Sequence, residues 1–191
     1  TSDLSITQAV AISDLDGDRD LDLVTAEGDN VTGYYNRLYY NNGTADPFSG
    51  ITSVILGSEQ DPSYDVATGD LNSDGHPDVV VANNGTSDVL YLNNGTGNPF
   101  SGVTPVYFGK SLYSSRSVFL SDFNRDSHLD ILIGTKSGED NLLYLNNGTA
   151  DPFVGVEEKI VGGAWGSTKA LACGDVDNDG YDDFVIGADE Y

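Results

Sequence analysis

Asp14-Leu-Asp-Gly-Asp-Arg-Asp-Leu-Asp22 places an acid at every second position for nine residues and runs into the apolar Leu23-Val24. Three further segments repeat the pattern: Asp70-Leu-Asn-Ser-Asp-Gly-His-Pro-Asp78, Asp122-Phe-Asn-Arg-Asp-Ser-His-Leu-Asp130 and Asp175-Val-Asp-Asn-Asp-Gly-Tyr-Asp-Asp183. They begin at 14, 70, 122 and 175, steps of 56, 52 and 53 residues. A second marker keeps the same period. It reads Leu38-Tyr-Tyr-Asn-Asn-Gly-Thr44, Leu90-Tyr-Leu-Asn-Asn-Gly-Thr96 and Leu143-Tyr-Leu-Asn-Asn-Gly-Thr149, each followed by a Pro-Phe pair. Two independent markers with one period define an array of structural repeats.

Within the second repeat, Tyr64 to Asp70 reads as a short strand before the acidic loop. Val79-Val-Val-Ala82 is a continuous apolar run, as in a strand buried on both faces. Asn83 to Ser87 is turn chemistry. Asp88 to Asn93 is a third strand, with Val89 and Tyr91 on one face and Leu90 and Leu92 on the other, and Val103 to Phe108 is a fourth. No stretch carries helix caps and helical spacing. Four strands per repeat of this length is the pattern of propeller blades. The expected fold is therefore an all-β, propeller-type repeat over 1–191, about three and a half four-stranded blades. The repeats run over roughly 7–62, 63–114, 115–166 and an incomplete 167–191. The residue before each acidic loop is small (Ser13, Gly69, Ser121, Gly174), which suits an inner strand crowded near an axis. The second loop position is apolar in each copy (Leu15, Leu71, Phe123, Val176) and is expected to plug the gap between neighbouring blades.

The acid is concentrated: 16 of 31 Asp and Glu lie in these four loops. Against 8 Lys and Arg, the chain carries a net charge of −23, which excludes general nucleic-acid binding and argues against docking on anionic lipid. No apolar run is long enough to span a bilayer. A hydrophobic share of 38% with 11 Tyr and 7 Phe separates the chain from disordered acidic tails. Cys173 stands alone and Met is missing even at position 1, so the sequence reads as a processed chain with its signal removed, or a piece of a longer one.

Carboxylate or amide oxygens at loop positions 1, 3 and 5, a carbonyl at 7 and a carboxylate at 9 build an oxygen cage. Hard oxygen donors with a high acid count select calcium; magnesium asks for a stricter octahedron. An EF-hand is excluded, because its position-12 glutamate is replaced by Thr25, Val81, Ile133 and Ile186. The Asp-x-Asp-x-Asp-Gly-x-x-Asp form leading into an apolar strand resembles the FG-GAP and VCBS repeats, and is similar to the calcium loops of integrin α-subunit propellers. That resemblance implies a calcium ion between the first and second strands of each blade, up to four ions in all. It implies side-chain ligands Asp14, Asp16, Asp18 and Asp22; Asp70, Asn72, Asp74 and Asp78; Asp122, Asn124, Asp126 and Asp130; and Asp175, Asp177, Asp179 and Asp183. Carbonyls of Asp20, His76, His128 and Tyr181 would fill position 7. Gly75 and Gly180 match the sixth-position glycine; Arg19 and Ser127 do not, which marks those two loops as the more strained and weaker ones.

Other constellations carry less. His76 and His128 fall at position 7, where the backbone binds and the rings are expected to point outward. No serine-hydrolase elbow, Cys/His pair or phosphate loop is present. Asn30, Asn42, Asn84, Asn94 and Asn147 each open an Asn-x-Thr sequon, a candidate N-glycan acceptor, although Asn-Gly is also a favoured turn. Trp165 reads as a residue packed between blades or a sugar-stacking platform. The sequence is thus read as a non-enzymatic, extracellular or cell-surface calcium-binding protein for surface structure or adhesion. Its expected partners are copies of itself, head to tail through the incomplete blade as filament or ring, and a carbohydrate or cell-surface protein. The alternatives are a lectin module and an accessory piece of a larger secreted enzyme.

Overall fold

Each acidic loop closes a tight antiparallel pair, and this sets the rest of the architecture. Ser13 pairs with Asp22, Gly69 with Asp78, Ser121 with Asp130 and Gly174 with Asp183, so each loop's last acid already belongs to a strand. The computed structural model describes residues 6–29, 33–109, 113–136, 138–162 and 166–189. The first blade is β1 (Thr7–Ser13), β2 (Asp22–Glu27), β3 (Arg37–Tyr39) and β4 (Val54–Ile55). The second is β5 (Ser63–Gly69), β6 (Asp78–Asn83), β7 (Asp88–Tyr91) and β8 (Val106–Phe108). The third is β9 (Ser115–Ser121), β10 (Asp130–Thr135), β11 (Leu142–Tyr144) and β12 (Lys159–Ile160). β13 (Ser167–Gly174) and β14 (Asp183–Asp189) form a two-stranded sheet. Every four-stranded sheet is an antiparallel meander in chain order, and no helix occurs among the described residues. The fold is the all-β, blade-repeat architecture of a propeller.

The inner strands β1, β5, β9 and β13 lie side by side, blade against blade. The cores therefore lie between blades. Leu15, Val24 and Leu38 of the first blade pack on Val66, Val79, Val89 and Tyr91 of the second. Leu71, Val80 and Leu90 of the second pack on Val118, Ile131, Ile133 and Tyr144 of the third. Val89 and Tyr91 do face one way and Leu90 the other, as strand alternation requires. Leu15 and Leu71 are the expected plugs, each worth about 1.5–3 kcal/mol as a fully buried side chain; Phe123 meets Phe184 edge to face, with centroids 6.1 Å apart, whereas Val176, 71% exposed, plugs no gap among the described residues. A Cβ on Gly69 would stand 2.8 Å from Leu129 Cδ1 of the next blade, so that side chain would have to shift to admit one.

Two strand limits differ by more than one residue from those read in the sequence. The third strand stops at Tyr91 rather than Asn93, because Asn93 turns back to donate its N–H to Asp78. The fourth starts at Val106 rather than Val103, because Val103 closes a turn onto the Phe100 carbonyl.

Candidate metal centres

Each acidic loop is wound on its own side chains. The carboxylate at position 1 accepts backbone N–H groups on both oxygens: Asp70 from Asp74 and Gly75, Asp122 from Asp126 and Ser127, Asp175 from Asp179 and Gly180, and Asp14 from Gly17 and Arg19. Position 3 accepts the N–H of position 5 through Asp16, Asn72, Asn124 and Asp177. Position 5 accepts the N–H of position 7 through Asp18, Asp74, Asp126 and Asp179. Position 9 closes the turn: Asp22, Asp78, Asp130 and Asp183 accept the N–H groups of Leu15, Leu71, Phe123 and Val176 at 2.8–3.0 Å.

This winding drives carboxylates together. Oxygens of Asp14, Asp16 and Asp18 lie within 4.8 Å of one another, as do oxygens of Asp175, Asp177 and Asp183. Loops 2 and 3 are milder, because Asn72 and Asn124 donate their amide N–H to Asp74 and Asp126 at 3.0 and 2.9 Å. Burial, with neighbouring carboxylates adding to it, pushes Asp78 and Asp130 up to about 6 and raises Asp16 and Asp22. An oxygen-only donor set whose carboxylates converge in this way fits a hard divalent cation, which would relieve the repulsion.

Positions 4 and 6 have positive φ in every loop. Position 4 is Gly17, Ser73, Arg125 and Asn178 at 80, 61, 62 and 61°, and position 6 is Arg19, Gly75, Ser127 and Gly180 at 78, 87, 72 and 89°. Arg19 and Ser127 thus adopt the backbone that glycine supplies in the other two loops, at a cost of about 1 kcal/mol each.

The histidines do not simply point outward. His76 and His128 are partly buried, and their Nε2 atoms would lie 2.8 Å from a Cβ built on Gly95 and Gly148. Position 7 therefore sits on the glycine of its own blade's Asn-Asn-Gly turn, and Asp20 occupies the same place over Gly43.

The first asparagine of each such turn, which is not among the residues expected from the sequence, also braces the loop. Asn41, Asn93 and Asn146 donate their N–H to Asp22, Asp78 and Asp130 at 2.8–2.9 Å. Asn93 and Asn146 also reach back a blade, donating Nδ2–H to the carbonyls of Leu15 and Leu71 at 2.8 and 2.7 Å. The shared period of the turn and the loop was the available signal. The sequon asparagines are engaged too. Nδ2 of Asn42 donates to the Asp46 and Ser49 carbonyls, and Asn94 and Asn147 do likewise. Asn84 lies at an isolated bridge with Ser114, while Asn30 and Trp165 lie outside the described residues.

A family model described as FG-GAP-like repeat matches residues 14–81, 70–133 and 122–186. Each match runs from one acidic loop through the next and into the strand beyond it. The chain is also 27% identical to human integrin alpha-7 over 156 residues, which is 72% of this chain and 13% of that protein. No helix among the described residues is long and apolar enough to cross a membrane.

Proposed function

We propose, on the premise that this chain belongs to the FG-GAP-like repeat family, that it is a non-enzymatic, extracellular propeller module held together by calcium and used in adhesion or surface structure. The observation that carries the reading is the convergence of Asp14, Asp16 and Asp18, and of Asp175, Asp177 and Asp183, in loops whose winding recurs in all four repeats. In each loop the side chains at positions 1, 3, 5 and 9, with the position-7 carbonyl, would hold the ion. Bound calcium would supply positive charge and clamp the hairpin. Loops of this kind fill where calcium is millimolar, which supports a site outside the cell. The likeness to integrin alpha-7 supports a role in contact between surfaces. Calorimetric titration of the chelator-stripped chain tests the binding: calcium should bind at up to four sites and magnesium more weakly. Retention of the immobilised chain on cell surfaces in calcium, and release on chelation, tests the role. Retention unaffected by chelation would count against it.

The partner reading rests on the faces at the two ends of the row. Val10 is 58% exposed, whereas its counterparts Val66 and Val118 are 5% and 6% exposed beneath the preceding blade. Val185 is 60% exposed, whereas Val24 and Val80 are fully buried beneath the following one. Each of these faces is half of a blade interface, and the complementary half comes either from a second copy stacked head to tail or from further blades of the same protein. Light scattering at rising concentration should show growth that Val10→Asp abolishes; a concentration-independent monomer would remove this part of the reading. A carbohydrate is the second class of partner. It is favoured by a groove of about 330 Å³ between the first two blades, where Tyr40 and Phe100 stand beside Ser58, Asn98 and Ser101. A glycan array that stays blank would remove it.

A further inference from the structure

The acidic loops touch one another in a fixed pattern. Ser73, at position 4 of the second loop, hydrogen-bonds through Oγ to Nδ1 of His128, at position 7 of the third, at 3.2 Å. Arg125, at position 4 of the third loop, lays its guanidinium over the ring of Tyr181, at position 7 of the fourth, 4.7 Å from the centroid. The same guanidinium crowds Gly180, and Ser121 before the third loop donates a hydrogen bond to Asp182 in the fourth. The first loop breaks the series. Its position 4 is Gly17, which has no side chain to offer His76, and a Cβ built there meets nothing within 4 Å.

We infer that the second, third and fourth loops bind calcium as a coupled set, linked from position 4 of each to position 7 of the next, and that the first loop, joined to the second among the described residues only through Asn93 and the Leu15 carbonyl, is coupled more weakly. The inference rests on the calcium reading above. Position 4 lies between the ligands at 3 and 5, and position 7 would supply its own carbonyl. An ion that orders one loop therefore fixes one end of the contact and lowers the ordering cost of the neighbour. By reciprocity, the neighbour's ion helps the first by the same factor. A single exposed contact of this type carries a two- to fivefold change in affinity, about what a surface cation–π pair contributes.

The test is a calcium titration of the full chelator-stripped chain, followed by NMR at the position-6 amides of Arg19, Gly75, Ser127 and Gly180, one reporter per loop. Disabling the fourth loop with Asp175→Asn should raise the Ser127 midpoint about two- to fivefold. In an Arg125→Gly background, which keeps a residue suited to positive φ, the same substitution should leave that midpoint in place. Disabling the first loop with Asp14→Asn should move the Gly75 midpoint by less than about twofold, since no position-4 contact joins those two loops. If Asp175→Asn unpairs β13 from β14, as circular dichroism would reveal, Tyr181→Leu breaks the link with every carboxylate intact and should itself raise the Ser127 midpoint. The inference is overturned if calcium binds but Ser127 ignores the fourth loop, or if Gly75 follows the first loop as strongly. A chain whose loops do not respond to calcium at all overturns this inference and the calcium reading together.

Discussion

Replacing Asp88 with asparagine should make the protein more stable, and increasingly so as the pH rises. Asp88 opens β7 at the joint between the second and third blades and is 3% exposed. It accepts the N–H of Asn83 and the hydroxyl of Ser115, both at 2.9 Å. The equivalent positions are Asn36, which accepts the N–H of Glu27 and donates to Ser63, and Asn141, which accepts the N–H of Thr135 and the hydroxyl of Thr168. The joint is thus built for an amide, and the second blade alone has an acid in it. Burial outweighs the two hydrogen bonds and pushes Asp88 up to about 7 from an ordinary 3.8. The folded pKa lies above the unfolded one. Asp88 therefore contributes most below pH 4, and that contribution fades as pH rises through 7. A gap of about three units corresponds to a ceiling of about 4 kcal/mol, with about 2–3 kcal/mol of it appearing between pH 5 and 8. Urea unfolding of Asp88→Asn and the parent chain at fixed millimolar calcium reads this difference directly. An advantage of Asp88→Asn that widens by this amount is expected. A difference that is flat with pH, or a loss of stability at pH 8, would refute the reasoning.

Asn93→Ala should cost about 2–4 kcal/mol in chemical unfolding, because it strands the buried carbonyl of Leu15, the partly buried carbonyl of Pro77 and the N–H of Gly95. Asn41→Ala should cost at least 1 kcal/mol less, since its bonds to Leu21 and Gly43 stay within the first blade. Ser127→Gly should stabilise the chain by about 1 kcal/mol by relieving its φ of 72°, seen as a higher denaturation midpoint. Burial, and after it Asp182, pushes the Cys173 thiol up to about 11. A thiol reagent at pH 8 should therefore modify Cys173 more than tenfold slower than a free cysteine.

The repeat, the strand count and the blade form were legible because their signals are local and recur: an acid at every second position, an apolar run after it, an Asn-Asn-Gly turn at the same period. Even the plugs Leu15 and Leu71 followed from their spacing. What was not legible lies between repeats. The reach of Asn93 to Leu15 spans 78 residues, and nothing in the composition of either segment specifies it. Ser73 and His128 meet only because adjacent inner strands bring successive loops together. The histidine rings were misread for a related reason: their seat is a glycine in a turn some twenty residues away, which leaves them room. Arg19 and Ser127 show the opposite case. Their departure from glycine was visible in sequence, but the loop keeps its positive φ because the surrounding hydrogen bonds determine it.

The most direct test of the central claim is thermal unfolding of the chain in millimolar calcium and again after chelation. Ions held in the affinity range of extracellular modules add roughly 1–3 kcal/mol per site at that concentration. For a chain of this size each kcal/mol moves the midpoint by roughly 2–4 °C. With several loops filled, the chelated chain should melt more than about ten degrees below the calcium-loaded one, and added calcium should restore the difference. Superimposable melting curves with and without the chelator would contradict the account.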